Sequence, residues 1–353
     1  MSSVDALRGM VMILMALDHV RDFYHADALS FSPEDLTRTT TALFFTRWIT
    51  HFCAPVFMFT AGVSAFFWLR RGRTTGQLAS FLWKRGLWLI VLELTVLRFG
   101  MFFSLTADPV IVTVLWALGW SMIVLALAVR LPVRVLAAGS IAIIALHNLA
   151  DPIQASRFGA AAGVWNFLHQ PGVFRVGGVS VRIGYPVIPW VAVMASGFCF
   201  GHVMTLPVHE RRRWLNRIGL GLTLTFLVIR GINIYGDPLR WSATVLSFLR
   251  CTKYPPSLDF LLMTLGPAIL VLAWLDGVSF AETNPLIVFG RVPLFYFLVH
   301  FYLAHVLGAA LGRTHSLGAV YVLWIAVVLM LYPLCLWYAR LKGRRSYWWL
   351  SYL

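Results

Sequence analysis

The sequence predicts an all-α polytopic membrane protein of about ten transmembrane helices, with both termini cytoplasmic and residues 1–353 forming a single domain. Three observations carry that expectation. The chain is 59% hydrophobic and only 12% charged over 353 residues, against roughly a quarter charged in ordinary soluble domains. Its mean hydropathy is +0.78. Its basic residues fall between apolar stretches instead of in one stripe. Disorder needs low hydrophobicity and is excluded. A soluble enzyme is excluded because its surface would carry more apolar area than water tolerates.

A helix needs about 20 apolar residues to cross a bilayer. The first stretch, 4–24, holds Arg8, Asp18 and His19 and lacks a small-residue cleavage site, so it reads as a retained span and not a signal peptide. Stretches 41–69 and 78–102 follow, joined by Arg70, Arg71 and Arg73. Next come 110–130 and 133–149, with Arg130 and Arg134 at their junction, then 186–206 and 215–234 around Arg211, Arg212, Arg213 and Arg217. The last three are 257–275, 285–311 and 317–340. No fixed-period repeat is visible, nor are the alternating ten-residue segments of an outer-membrane barrel.

Orientation comes from the positive charges. With the N-terminus inside, fifteen basic residues fall on inner loops and tail, Arg340, Lys342, Arg344 and Arg345 among them. Nine fall outside: Arg38, Arg47, Arg157, Arg175, Arg182, Arg240, Arg250, Lys253 and Arg313. That asymmetry follows the positive-inside rule. It also accounts for the net charge of +15 without a nucleic-acid partner. Cys53, Cys199, Cys251 and Cys335 show no paired spacing, which argues against a disulfide framework or a cysteine-rich zinc site.

Ionisable residues at membrane depth are costly and need a partner, a wet cavity or a function. The densest group ends the first span: Asp18-His19-Val20-Arg21-Asp22-Phe23-Tyr24-His25. At 100° per residue Asp18, Arg21, Asp22 and His25 share a helix face. A carboxylate one turn from an imidazole suits a general base; an ion-pair ladder pinning the helix end in the headgroups fits equally well. Arg47, Thr50 and His51 open the next span from the same side, so both clusters share a depth and the pattern allows a common pocket near the outer surface. His300 and His305, five residues apart, cannot both face one ligand, and no third histidine stands at ligand spacing to them. No metal is expected in this protein. Glu93 with Arg98 or Arg230 reads as a structural pair between helices. Arg8 and Arg291 lie deeper than the loop arginines and suit an anionic phosphate arriving from the cytoplasm. The long outer loops 150–185 and 235–256 are suited to capping a cavity; Lys253 and Tyr254, before Pro255 and Pro256, sit in a segment stiffened by proline.

The opening Ser3-Val4-Asp5-Ala6-Leu7-Arg8-Gly9 with Asp18-His19 resembles the heparan-alpha-glucosaminide N-acetyltransferase family and its bacterial relatives, part of a wider group of transmembrane acyltransferases. Three more blocks are similar to bacterial members: Arg47-Trp48-Ile49-Thr50-His51-Phe52-Cys53-Ala54-Pro55, Lys253-Tyr254-Pro255-Pro256-Ser257-Leu258 and Gly290-Arg291-Val292-Pro293-Leu294-Phe295-Tyr296. The resemblance implies acetyl (acyl) transfer from cytoplasmic acetyl-CoA to an amino-sugar or glycan acceptor across a cytoplasmic (inner) membrane, with a homodimer as an option. It implies a catalytic histidine at His25, with Asp18 at an earlier polar position of the motif. On that reading Asp18 or Asp22 orients His25, Arg47 or His51 stabilises the oxyanion, and His51 is the rival base. Arg8 and Arg291 hold cofactor phosphates, and His19, Lys253, Tyr254 and His300 face the acceptor. A proton-coupled transporter using Asp18, Glu93 and the histidines is the competing function, weakened by the lack of two homologous halves.

Overall fold

The computed structural model describes residues 1–28, 30–106, 108–312 and 315–344; of the charges assigned above, Arg313 and Arg345 lie outside the described residues. Each of the ten apolar stretches is largely helical. The helices are α1 (Ser2–Tyr24), α2 (Thr41–Thr50), α3 (Cys53–Leu69), α4 (Thr75–Leu92), α5 (Arg98–Phe102), α6 (Val114–Ala128), α7 (Val133–Leu146) and α8 (Ala162–Leu168). They continue as α9 (Trp190–Phe200), α10 (Val208–Ile232), α11 (Val245–Leu249), α12 (Leu258–Leu275), α13 (Pro285–Arg291), α14 (Pro293–Leu311) and α15 (Leu317–Arg344).

Among the described residues six helices are long and apolar enough to cross a membrane: Thr41–Leu69, Val133–Ala150, Val208–Ile232, Leu258–Leu275, Pro293–Leu311 and Leu317–Arg344. The remaining stretches depart for identifiable reasons. Helix α1 has the length but carries Asp5, Arg8, Asp18, Arg21 and Asp22. Helix α6 and the segment Trp190–Thr205 are apolar but short. Helix α4 runs into a π-helical turn, Glu93–Leu97, before α5. Exposed Val322, Ile325, Leu329 and Trp337 on α15 recur at helical spacing, as do Leu220, Leu224 and Val228 on α10. Such stripes suit a lipid neighbour, not water.

The all-α expectation needs one correction. A three-stranded sheet, in the order β1-β3-β2, joins β1 (Val110–Val112), β2 (Gly172–Val176) and β3 (Val179–Ile183). β2 and β3 form an antiparallel hairpin across Gly177 and Gly178, both at positive φ, where glycine bears no Cβ penalty. β1 pairs with β3 in parallel. Its Val-Ile-Val run is β-branched and suits a strand.

The chain divides into two compact units. The first comprises Met1–Cys53, Trp241–Arg250 and Ala268–Leu353. In it α1 packs along α13, α14 and α15 and meets α2. The α1–α13 crossing is close because both surfaces are bare of side chains: a Cβ on Gly9 would overlap the Leu286 backbone, and one on Gly290 would overlap that of Asp5. Small residues let helix backbones approach this way in membrane bundles. Pro293 divides stretch 285–311 into α13 and α14, since proline removes an amide donor. Asn284 caps α13 by accepting from the Leu286 amide at 3.0 Å.

The second unit comprises Ala54–Arg240 and Cys251–Pro267. Helices α4 and α6 cross at Gly86 and Gly119, and α9 lies against α6 and α7. Glu93 and the arginines depart from the expected pairing. Glu93 is buried and accepts from the Thr113 amide and hydroxyl at 2.5 and 2.6 Å and from the Leu115 amide at 3.1 Å. It therefore caps the start of α6 in place of meeting an arginine. Arg98 donates to the carbonyls of Ser104 and Thr106. Arg230 stands 3.6 Å from Asp259. The Asp237 carboxylate, also buried, gathers Thr252, Ser257 and Leu239 at 2.5–2.9 Å, which fixes the loop before α12.

Candidate active site in the first unit

The charged end of α1 meets α2 in one hydrogen-bonded network. Helix α1 stops at His25, whose backbone is extended, and α2 begins where the Thr40 side chain accepts from the Leu43 amide. Helices α1 and α2 lie against each other, and Arg47, one turn from the end of α2, reaches α1. Its Nη1 donates to both oxygens of Asp18, at 2.8 and 2.6 Å. The Thr50 hydroxyl adds a third bond to Asp18 at 3.0 Å. Arg21, almost fully buried, places Nη2 2.9 Å from Asp18 and 2.6 Å from Asp22. One carboxylate is therefore shared by two guanidinium groups and a hydroxyl. Asp22, half exposed, accepts from the same Nη2 of Arg21.

A second acid from the loop, Glu34, completes the cluster. Its Oε1 accepts from His51 Nε2 at 2.6 Å and lies 3.4 Å from Arg47 Nε. Because a carboxylate can only accept, the His51 proton sits on Nε2 and Nδ1 is the basic atom of the neutral ring. The structure thus brings together Asp18, Arg21, Asp22, Glu34, Arg47, Thr50 and His51. Glu34 and Arg21 belong in the group although sequence reasoning gave neither a role in the site. Glu34 lies in an irregular loop where periodicity carries no signal, whereas Arg21 could have been found from its shared face with Asp18. Arg21 also keeps Nη1 buried with no hydrogen-bond acceptor among the described residues, a donor that an oxyanion would satisfy.

His25 is placed differently from the expectation. Neither Asp18 nor Asp22 bonds to it; both are engaged by arginine. Its ring instead receives the Asp27 amide at Nδ1, 3.3 Å away, while its backbone runs parallel to His315. Burial holds the His25 imidazole below its usual pKa of 6.5; Asp27 opposes that shift and Arg21 adds to it. The ring is therefore neutral at physiological pH, with Nδ1 as its basic atom, restrained by one long amide contact.

One turn into the bundle, His19 Nδ1 lies 2.6 Å from Nε2 of the fully buried His300. His300 Nδ1 is 3.0 Å from the Tyr296 carbonyl, which can only accept. In a neutral His300 the Nε2 atom is then the acceptor and His19 Nδ1 the donor, so the lone pair of His19 is left at Nε2. His305 does not join them: it stacks on Phe23 with ring centroids 4.8 Å apart.

The remaining expected residues lie elsewhere. Arg8 is 3.4 Å from Asp5 on α1. Arg291 ends α13 and lines a cavity of about 520 Å³ with Arg340, Lys342, Arg344 and Glu282, the last 3.3 Å away. Four cations against one carboxylate make that cavity suited to phosphate. Lys253 and Tyr254 belong to the second unit, where the ammonium sits 5.3 Å from the Tyr254 ring and the Tyr254 hydroxyl is 3.4 Å from that of Tyr185.

Two comparisons with known proteins bear on this arrangement. No curated protein matches the chain significantly. A family model described as heparan-alpha-glucosaminide N-acetyltransferase, catalytic, matches residues 1–236, which include the whole α1–α2 cluster. Since that match covers well over half of the 353 residues, the chain belongs to the heparan-alpha-glucosaminide N-acetyltransferase catalytic family.

Proposed function

We propose that the protein is a multi-pass enzyme of the cytoplasmic membrane, crossing it about ten times with both termini inside. It moves an acetyl (acyl) group from cytoplasmic acetyl-CoA to an amino sugar or glycan on the outer side. The observation that supports this reading best is the family match across α1 and α2 together with the cation-rich, carboxylate-braced cluster those helices form.

In the proposed reaction His25 takes the proton of the attacking amine at Nδ1, releasing the Asp27 amide as it does so. The amine nitrogen bonds to the thioester carbonyl carbon, and the carbonyl electron pair moves to oxygen. Arg47 and the unsatisfied Nη1 of Arg21 stabilise that oxyanion; Asp18 keeps both guanidinium groups fixed. As the C–S bond breaks, His25 returns its proton to the departing thiolate. Glu34 holds His51 ready to orient the acceptor or to serve as the base itself. His19 and His300, paired in the first unit, are acceptor-binding candidates there; Lys253 and Tyr254, in the second unit, are candidates on the family resemblance alone. Arg291, with Arg340 and Lys342 lining the same cavity, would hold the phosphates of acetyl-CoA, and Arg8 would support that end of α1.

The test is incubation of the purified protein with labelled acetyl-CoA and a panel of amino sugars and glycans, followed by mass analysis. A single acetyl added to an amine of one acceptor class is expected. His25→Ala should abolish transfer and retain acetyl-CoA binding, whereas His51→Ala should weaken it less. A fully active His25→Ala protein with an inactive His51→Ala protein would move the base to His51, and unchanged transfer in both would overturn the assignment to this cluster.

A further inference from the structure

The second unit contains a group of metal-type donors that the acetyl-transfer scheme does not use. Helix α7 ends in a 3₁₀ turn, His147–Ala150, and Asp151 closes that turn four residues after His147. His169 arrives from the end of α8, where its amide donates to the Trp165 carbonyl at 2.8 Å and sets the ring's position. One donor atom from each of His147, Asp151 and His169 lies within 4.8 Å of the other two. His169 Nε2 and Asp151 Oδ1 are 3.0 Å apart, and the two imidazoles meet edge to face at 5.6 Å.

Two features separate this trio from a chance cluster. His147 is 7% exposed, yet neither ring nitrogen has a hydrogen-bond partner among the described residues. An unsatisfied buried polar group costs on the order of 1–3 kcal/mol, so an imidazole in this state calls for a ligand on its lone pair. The second feature is the support behind the carboxylate. Asn148 Nδ2 donates to Asp151 Oδ2 at 2.8 Å, and Asn148 Oδ1 accepts from the Leu258 amide at 2.9 Å. The other oxygen, Oδ1, is thereby turned toward His169. Hydrogen bonds of this kind behind a ligand are what orient metal-binding carboxylates.

The geometry points to a binding site for one divalent transition-metal ion, zinc by preference, held by His147, Asp151 and His169 with a fourth position open to water. Two imidazoles and one carboxylate suit zinc, whereas magnesium and calcium take oxygen donors. Ligand atoms about 2.1 Å from a tetrahedral ion lie about 3.4 Å apart, close to the Asp151–His169 spacing and within a side-chain rotation of the widest one. The spacing of His300 and His305 that argues against zinc in α14 has no bearing on this trio, since His169 joins from 18 residues beyond Asp151.

The test uses the full chain in detergent, stripped with chelator and desalted. Titration with cobalt(II) should produce visible absorption of four-coordinate intensity that saturates at one equivalent and is displaced by zinc. Elemental analysis after zinc loading should give one zinc per chain in the starting protein. His147→Ala and His169→Ala should each retain less than a tenth of it, and the exposed-residue control His209→Ala should be unchanged. Asn148→Ala should weaken zinc by about 10- to 100-fold. Absence of the cobalt band in the unsubstituted protein overturns the site whatever the variants do, and so does full zinc retention in a folded His147→Ala protein.

Discussion

Replacing Asp18 by Asn removes one charge from the centre of the α1–α2 network and nearly nothing from its volume. In the structure Asp18 accepts two bonds from Arg47, one from Thr50 and one from Arg21, at 2.6–3.0 Å. The side chains of Asp18, Arg47 and Arg21 are 13%, 14% and 3% exposed. Breaking a buried ion pair from one side costs about 3–5 kcal/mol. Two residual pairs soften that loss: Arg21 keeps Asp22 at 2.6 Å, and Arg47 keeps Glu34 at 3.4 Å. The asparagine oxygen can still accept one bond. The lower end of the range, about 3 kcal/mol, is therefore expected. Asp22→Asn supplies the internal comparison. Asp22 is 52% exposed and holds a single partner, so its loss should cost less than about 1 kcal/mol. Denaturant unfolding in a fixed detergent at neutral pH measures both. Equal stabilities for the two variants would refute the assignment of Asp18 as the keystone of the cluster.

Other outcomes follow from the same coordinates. Gly9→Ala should destabilise by about 1–3 kcal/mol through overpacking against Leu286, while Gly139→Ala, in mid-α7 with open space around it, should be neutral or gain up to about 1 kcal/mol; thermal unfolding of the pair checks the α1–α13 crossing. The lowered His25 pKa has a signed consequence. Above pH 6.5 the ring is neutral in folded and unfolded chains alike. Below it the unfolded chain binds a proton that the native one resists, so stability falls as pH drops from 6.5 toward the native pKa. His25→Ala should flatten that limb in unfolding measured against pH. Arg291→Ala combined with Arg340→Ala should raise KM for acetyl-CoA several-fold and leave kcat nearly unchanged, because phosphate binding remote from the reacting carbon contributes equally to ground and transition states.

The helices were legible because their apolar runs are long and membrane insertion leaves few alternatives for such segments. β1 was not, since Val110–Val112 sits at the edge of an apolar run where periodicity cannot separate a short strand from helix. The convergence of Asp18 with Arg47 could be anticipated from connectivity, as a single loop joins the charged end of one apolar stretch to the charged start of the next. The Glu34–His51 pair could not, because a loop residue's position depends on chain path and not on spacing. Distance in sequence hid the rest. His19 and His300 are 281 residues apart, and Glu93 caps α6 across a turn whose course no local pattern encodes. The expected His25–carboxylate contact failed for a different reason: the shared helix face was read properly, but Asp18 and Asp22 find stronger partners in arginine.

Transfer through the bilayer is the claim on which the functional reading stands, and reconstituted vesicles address it most directly. Protein molecules inserted with the cytoplasmic face outward receive labelled acetyl-CoA in the external medium, and the amino-sugar acceptor is trapped in the lumen. Labelled acetyl-amine recovered from the lumen, absent with His25→Ala, is the predicted result. Label that appears only when donor and acceptor share one side of the membrane would contradict it.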